Sequence, residues 1–109
     1  MESNEEVPHV DVEALAALVA GGATLIDVRE ADEYAEVRAA GTRLVPLGEV
    51  PDRIGEFPRD GAVYVICRSG ARSLRACEFL RANGVDATNV AGGTLAWMEA
   101  GLPTEHGQP

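Results

Sequence analysis

Two hydrophobic periods alternate along this chain. Val12, Leu15, Ala16, Leu18 and Val19 recur near the helical repeat, with Asp11 placed to cap them and Gly21-Gly22 to close them, which predicts a helix over 11–20. Residues 24–28 form a short β-rich run with Asp27 near its end, read as a buried strand. A helical turn over 31–37, a brief strand over 43–46 and a short helix over 49–57 with Pro51 in its first turn follow. Residues 63–66 (Val-Tyr-Val-Ile) read as a strand, and 73–83 as a helix with Leu74, Ala76, Cys77, Phe79 and Leu80 on its apolar face and Gly84 behind it. A strand over 88–91, the pair Gly92-Gly93 and a helix over 94–100 containing Trp97 complete the pattern. Strands alternating with helices imply a parallel sheet covered on both faces. The first eight residues and the last six, 104–109, are expected to be tails around a domain spanning 9–103.

The chemistry concentrates between residues 67 and 73, Cys-Arg-Ser-Gly-Ala-Arg-Ser. Cys67 ends a strand, where open α/β sheets place their ligands, and lies beneath the start of a helix, whose unpaired N–H groups favour an anion. With Arg68 and Arg72 nearby, this setting is expected to lower the pKa of Cys67 and make it a thiolate nucleophile. Gly70 allows a tight turn with its amide inward. Ser69 offers a hydroxyl, and Ser73 is either a helix cap or a substrate contact. Asp27 can pair with Arg72 or Arg29 and steady the loop, or cap the next turn. Cys77 reads as core. Trp97 reads as a core anchor, and the acidic stretch 30–36 as a solvated helix face.

Composition narrows the partners. At 109 residues and 46% hydrophobic, the chain makes one domain. Its net charge of −9 argues against nucleic acid or an anionic membrane as a partner. Residues 67–81 carry four arginines (68, 72, 75 and 81) against Glu78, a positive island that points to a small anionic substrate, with Arg75 and Arg81 read as solvated helix surface. The acidic N-terminus, the absence of a long apolar run and the two cysteines together lead us to expect a cytoplasmic protein with thiol chemistry.

Several segments resemble the single-domain rhodaneses, a sulfurtransferase family. They are Leu-Ile-Asp-Val-Arg-Glu (25–30), Asp-Glu-Tyr-Ala-Glu (32–36), Val-Pro-Leu (45–47), Cys-Arg-Ser-Gly-Ala-Arg-Ser (67–73), Gly-Gly-Thr-Leu-Ala-Trp (92–97) and Ala-Gly-Leu-Pro (100–103), in family order. The resemblance implies an α/β fold with a five-stranded parallel sheet and helices on both faces, and Cys67 as the residue that carries sulfur. It departs at 37–42, where many relatives read Gly-His-Ile-Pro-Gly-Ala and this chain has Arg38 in place of the histidine. Cys67 to Arg72 is C-x4-R, shorter than the C-x5-R of phosphate-binding relatives and cysteine phosphatases. The shorter ring of amides suits a thiolate or persulfide.

The function expected is transfer of sulfane sulfur through a Cys67 persulfide, from a small anionic donor such as thiosulfate to a thiol, cyanide or protein acceptor. Arg68, Ser69, Gly70, Ala71 and Arg72 form the substrate-binding loop, supported by Asp27, Arg29 and Ser73. No metal or cofactor is expected. Neither is a histidine base, His9 and His106 both lying near the tails. Two alternatives stand beside this: a persulfide carrier serving one protein partner, and a phosphatase or arsenate-reductase-like enzyme.

Overall fold

The computed structural model describes residues 7–108. Its centre is a five-stranded sheet in the order β1-β6-β5-β2-β4, with every neighbouring pair parallel. The strands are β1 (His9–Val10), β2 (Thr24–Asp27), β4 (Thr42–Leu44), β5 (Val63–Ile66) and β6 (Ala87–Val90). The helices are α1 (Val12–Ala20), α2 (Ala31–Glu36), α3 (Ala71–Ala82) and α4 (Gly93–Glu99). A separate two-stranded antiparallel ribbon joins β3 (Arg38–Ala39) to β7 (Thr104–Glu105).

Strand alternation divides the core into two. In β2, Leu25 faces a cluster with Val12, Leu15, Val90 and Trp97, while its neighbour Ile26 faces a cluster with Val65, Ala76, Cys77 and Leu80. β5 repeats the split with Ile66 on the first side and Val63 and Val65 on the second. α1 and α4 therefore cover one face and α3 the other, which is why the central strands are apolar at successive positions. Cys77 and Trp97 are core residues, as read from the sequence. No helix among the described residues is long and apolar enough to cross a membrane.

The elements differ from expectation in instructive places. Asp11 caps α1 by accepting from Ala14 N at 2.8 Å, as expected. The helix expected over 49–57 is instead two 3-10 turns, Leu47–Glu49 and Ile54–Glu56. Pro51 supplies no N–H, and Gly55 lowers helical propensity further, so much of the segment closes i to i+3 bonds. Strand β4 begins one residue earlier than expected and α3 two. Strands β1, β3 and β7 were not anticipated, being only two residues long.

Order also extends past residue 103. Residues 1–6 of the expected N-terminal tail lie outside the described residues, but Val7 packs on the core and Pro8 O accepts from Asn89 N at 2.9 Å. At the other end, 104–107 fold back along β3. The anchor is Arg38, which is buried and stacks 4.5 Å over the Tyr34 ring. Its Nη1 donates to Tyr34 O at 3.1 Å and Gly107 O at 2.8 Å, and its Nε lies 3.6 Å from Glu105 Oε1. Gly107 N returns a bond to Ala35 O at 2.7 Å. Arg38→Ala would leave two carbonyls without this donor and is expected to lower unfolding free energy by about 2 kcal/mol. A urea titration checks this, and a loss within error of zero would show that the clasp contributes nothing.

Candidate active site

Cys67 follows β5 at the C-terminal edge of the sheet, and the chain turns at once into α3. The turn depends on Gly70, whose φ of +117° a residue with a Cβ rarely adopts. Because Gly70 is the helix N-cap, α3 starts at Ala71 and Ser73 becomes its third residue. Ser73 is therefore no cap. Fully buried, its hydroxyl lies 3.2 Å from Cys67 Sγ, and Gly70 N donates to the same sulfur at 3.1 Å.

The loop's carbonyls point elsewhere. Cys67 O accepts from Thr94 N at 2.8 Å and from Thr94 Oγ1 at 2.9 Å, and Arg68 O accepts from Leu95 N at 3.1 Å. α4 can come this close because Gly93 has no side chain. A Cβ there would stand 2.5 Å from Arg68 O and 2.6 Å from Cys67 O. The sulfur is left facing donors. Burial pushes the Cys67 thiol up, but the Ser73 hydroxyl and the backbone amides of Ser73, Gly70 and Ser69 outweigh it. The net shift is downward from the ordinary thiol value. The amides at the helix start act as expected and the Ser73 hydroxyl joins them, both ahead of the nearby arginines. Cys77, deep in α3, is pushed up by burial to about 12.

The two loop arginines differ. Arg72 makes a two-pronged pair with Glu33 of α2, Nη1 to Oε1 at 2.8 Å and Nη2 to Oε2 at 2.9 Å, so Glu33 is not merely part of a solvated face. Arg68 is exposed and has no ion-pair or hydrogen-bond partner for its side chain among the described residues. Ser69 and Ala71 are exposed on the loop. Of the partners considered for Asp27, the structure selects Arg29. Arg29 Nη2 lies 2.9 Å from Oδ2, Arg29 N donates to Oδ1 at 2.9 Å, and Nη2 also reaches Val37 O at 2.8 Å. The pair is buried and ties the end of β2 to the end of α2. Arg38 contacts Tyr34, Glu105 and Gly107, none of which belongs to the Cys67 loop.

Three residues at the site escaped the sequence reading. Asn89 of β6 accepts a short bond from Ser73, Thr94 holds the Cys67 carbonyl, and His9 sits on β1 with Nδ1 3.3 Å from Asn89 Nδ2. His9 is thus part of the sheet. Among the described residues, no group of three or more His, Cys, Asp or Glu side chains is gathered for a metal ion.

The rhodanese-like domain profile matches residues 11–100. The chain belongs to the rhodanese-like family. It is 36% identical over 100 residues to the sulfurtransferase of Allochromatium vinosum, covering 89% of this chain and 94% of that one. A rhodanese-related protein of Thermoplasma volcanium superposes with a TM-score of 0.84 at 31% identity, over 90% of this chain and 97% of that one. The thiosulfate sulfurtransferase of Pseudomonas aeruginosa superposes equally well, TM-score 0.84 at 30% identity, over 94% of this chain but 21% of the larger protein. The rhodanese-like fold inferred from the sequence stands.

The Arg72 guanidinium holds the Glu33 carboxyl down to about 2, the leading cause being the direct hydrogen bonds. This folded value lies below the unfolded one, so the stabilisation is complete above the unfolded pKa, about 4.3, and is lost as pH falls toward about 2. Glu33→Gln is expected to cost about 0.5–1 kcal/mol at neutral pH. Urea titrations of both proteins should converge near pH 2, and a difference that persists there would rule out this linkage.

Proposed function

We propose that the protein transfers sulfane sulfur through a persulfide on Cys67. The observation that carries this reading is the sulfur's surroundings: Gly70 N at 3.1 Å and Ser73 Oγ at 3.2 Å, with the neighbouring carbonyls turned toward α4. Such a nest favours a small anion with one exposed atom. The names of the Allochromatium and Pseudomonas relatives support the same chemistry.

In the first half-reaction the Cys67 thiolate attacks the outer sulfur of thiosulfate. An S–S bond forms to Sγ while the donor's own S–S bond breaks, and its electron pair leaves with sulfite. The persulfide's terminal sulfur carries the charge that Sγ carried before, in reach of the same loop. An acceptor thiolate or cyanide then attacks that terminal sulfur and returns Cys67 as thiolate. Neither step requires a proton. Cys67 is only 1% exposed, which limits a donor to an end-on approach by a slender atom. Arg68, exposed and without a side-chain partner among the described residues, is the residue proposed to meet the donor's sulfonate. Arg72 instead fixes the loop to α2 through Glu33.

The burial of Cys67 also gives a second reading some support: a carrier loaded and unloaded by one protein partner. Intact mass after brief thiosulfate treatment tests the main proposal. The wild type should gain one sulfur atom, lose it to cyanide, and Cys67→Ser should gain none. Absence of any gain from thiosulfate, with loading from a protein persulfide, would select the carrier. Arg68→Ala should raise KM for thiosulfate by about tenfold with a smaller effect on kcat. Unchanged kinetics would remove Arg68 from the donor site.

A further inference from the structure

Beside the thiol lies a polar chain that the transfer steps leave unused. Ser73 Oγ touches Cys67 Sγ at 3.2 Å, Gly70 O at 3.3 Å and Asn89 Oδ1. Asn89 Nδ2 in turn reaches Gly70 O at 3.4 Å and His9 Nδ1 at 3.3 Å. Asn89 and Ser73 are both buried. The carbonyl oxygen of Gly70, and the His9 ring nitrogen in its unprotonated form, are acceptors. They therefore orient the Asn89 amino group toward themselves and its oxygen toward Ser73. That oxygen can only accept.

Ser73 has one hydroxyl proton for three acceptors. While Cys67 is a thiol, it supplies its own S–H to Ser73 Oγ, and the Ser73 proton is free to bond Asn89. A thiolate has no hydrogen to offer and, being charged, draws the Ser73 proton toward itself. Asn89 stabilises the first arrangement and opposes the second.

We infer that Asn89 is a positioning residue whose carbonyl competes with the Cys67 thiolate for the single Ser73 proton. It thereby restrains the ionisation that the loop amides favour. The inference rests on Cys67 as the sulfur carrier and says how that carrier is tuned. Thiolate nucleophilicity falls as thiol pKa falls, so a sulfur held by every available donor would be abundant as thiolate but slow to attack. By sharing the Ser73 proton, Asn89 leaves the thiolate less tightly held than the full set of donors would hold it. The thiol proton itself leaves to solvent, and only the S–H bond is broken.

Titrating the thiolate by its ultraviolet absorbance from about pH 4 to about pH 9, with Cys67→Ser as the blank, reads this directly. Cys77, pushed up to about 12, does not contribute over that range. Asn89→Leu keeps the size and removes the acceptor. It should move the midpoint down by about 0.5–1 unit, a gain of about three- to tenfold in thiolate below the midpoint. Asn89→Asp keeps the shape, strengthens the acceptor and should move the midpoint up, which preserves the test if the leucine variant does not fold. In a Ser73→Ala background the proton in dispute is gone, and Asn89→Leu should shift the midpoint by less than about 0.2 unit. The inference is overturned by a midpoint that holds or rises in Asn89→Leu, by one that holds or falls in Asn89→Asp, or by an equal fall without the Ser73 hydroxyl. Sulfur gain is scored separately by mass on the same wild-type sample. A wild type that never gains sulfur refutes the carrier reading, while the titration still judges Asn89.

Discussion

A peptide unit carries a donor at one end and an acceptor at the other, so a loop that offers N–H groups to a sulfur must send its carbonyls somewhere else. In this protein they go to the start of α4. Thr94 takes the Cys67 carbonyl with both its amide and its hydroxyl, and Leu95 takes that of Arg68. This docking is possible only with the bare backbone of Gly93, since a Cβ would overlap both oxygens. Residues 94 and 95, on a different element from the one that carries the cysteine, therefore fix where the carbonyls of Cys67 and Arg68 point. The amide of Ser69 is free to face the sulfur because the other end of its peptide unit, Arg68 O, is already held by Leu95 N.

What could be read from the sequence follows from this division of labour. The strands β2, β5 and β6 and the helices α1 and α3 were legible because each buries enough apolar surface to impose a period. The loop 67–73 was legible because glycine, hydroxyl and guanidinium residues cluster within a few positions of a strand-end cysteine. The two-residue strands were not, since pairing over so short a length leaves no alternation to detect. Asn89 and Thr94 were also hidden. Each takes its meaning from a partner reached across the sheet or between elements. The short bond from Ser73 to Asn89 spans 16 residues and that from Thr94 to Cys67 spans 27. Gly92-Gly93 was the available signal for close approach to the loop, but not for which carbonyls it would meet.

Local charge sums misled in a similar way. Residues 67–81 carry four arginines, of which the sequence offers Arg68 and Arg72 to an anion and reads Arg75 and Arg81 as solvated surface. The fold commits one of each pair internally. Arg72 is taken by Glu33, 39 residues away, and Arg81 by Asp86 and Ala87 O. Arg68 and Arg75 remain exposed. The Arg72–Glu33 pair has consequences beyond neutralisation, because it joins α2 to the first turn of α3. The buried Asp27–Arg29 pair joins β2 to the end of the same helix. Two ion pairs thus hold α2, one at Glu33 in its first turn and one at the Val37 carbonyl just past its end, and the first of them ties it to the helix that carries Ser73.

Arg38 extends the same reasoning to strand β3. A guanidinium is always charged and carries several donors, so burying one is tolerable only where acceptors surround it. Here the acceptors are the Tyr34 and Gly107 carbonyls, the face of the Tyr34 ring and, at longer range, Glu105. Two of these groups belong to the residues after 103, and that stretch has little apolar surface of its own to bury. Its order must then come largely from polar contacts, of which Arg38 supplies the central ones, alongside the β3–β7 pairing and the bond from Gly107 N to Ala35 O. Arg38 and the ordered C-terminal segment are one structural feature: the arginine needs the strap for two of its partners, and the strap needs the arginine to hold it against β3.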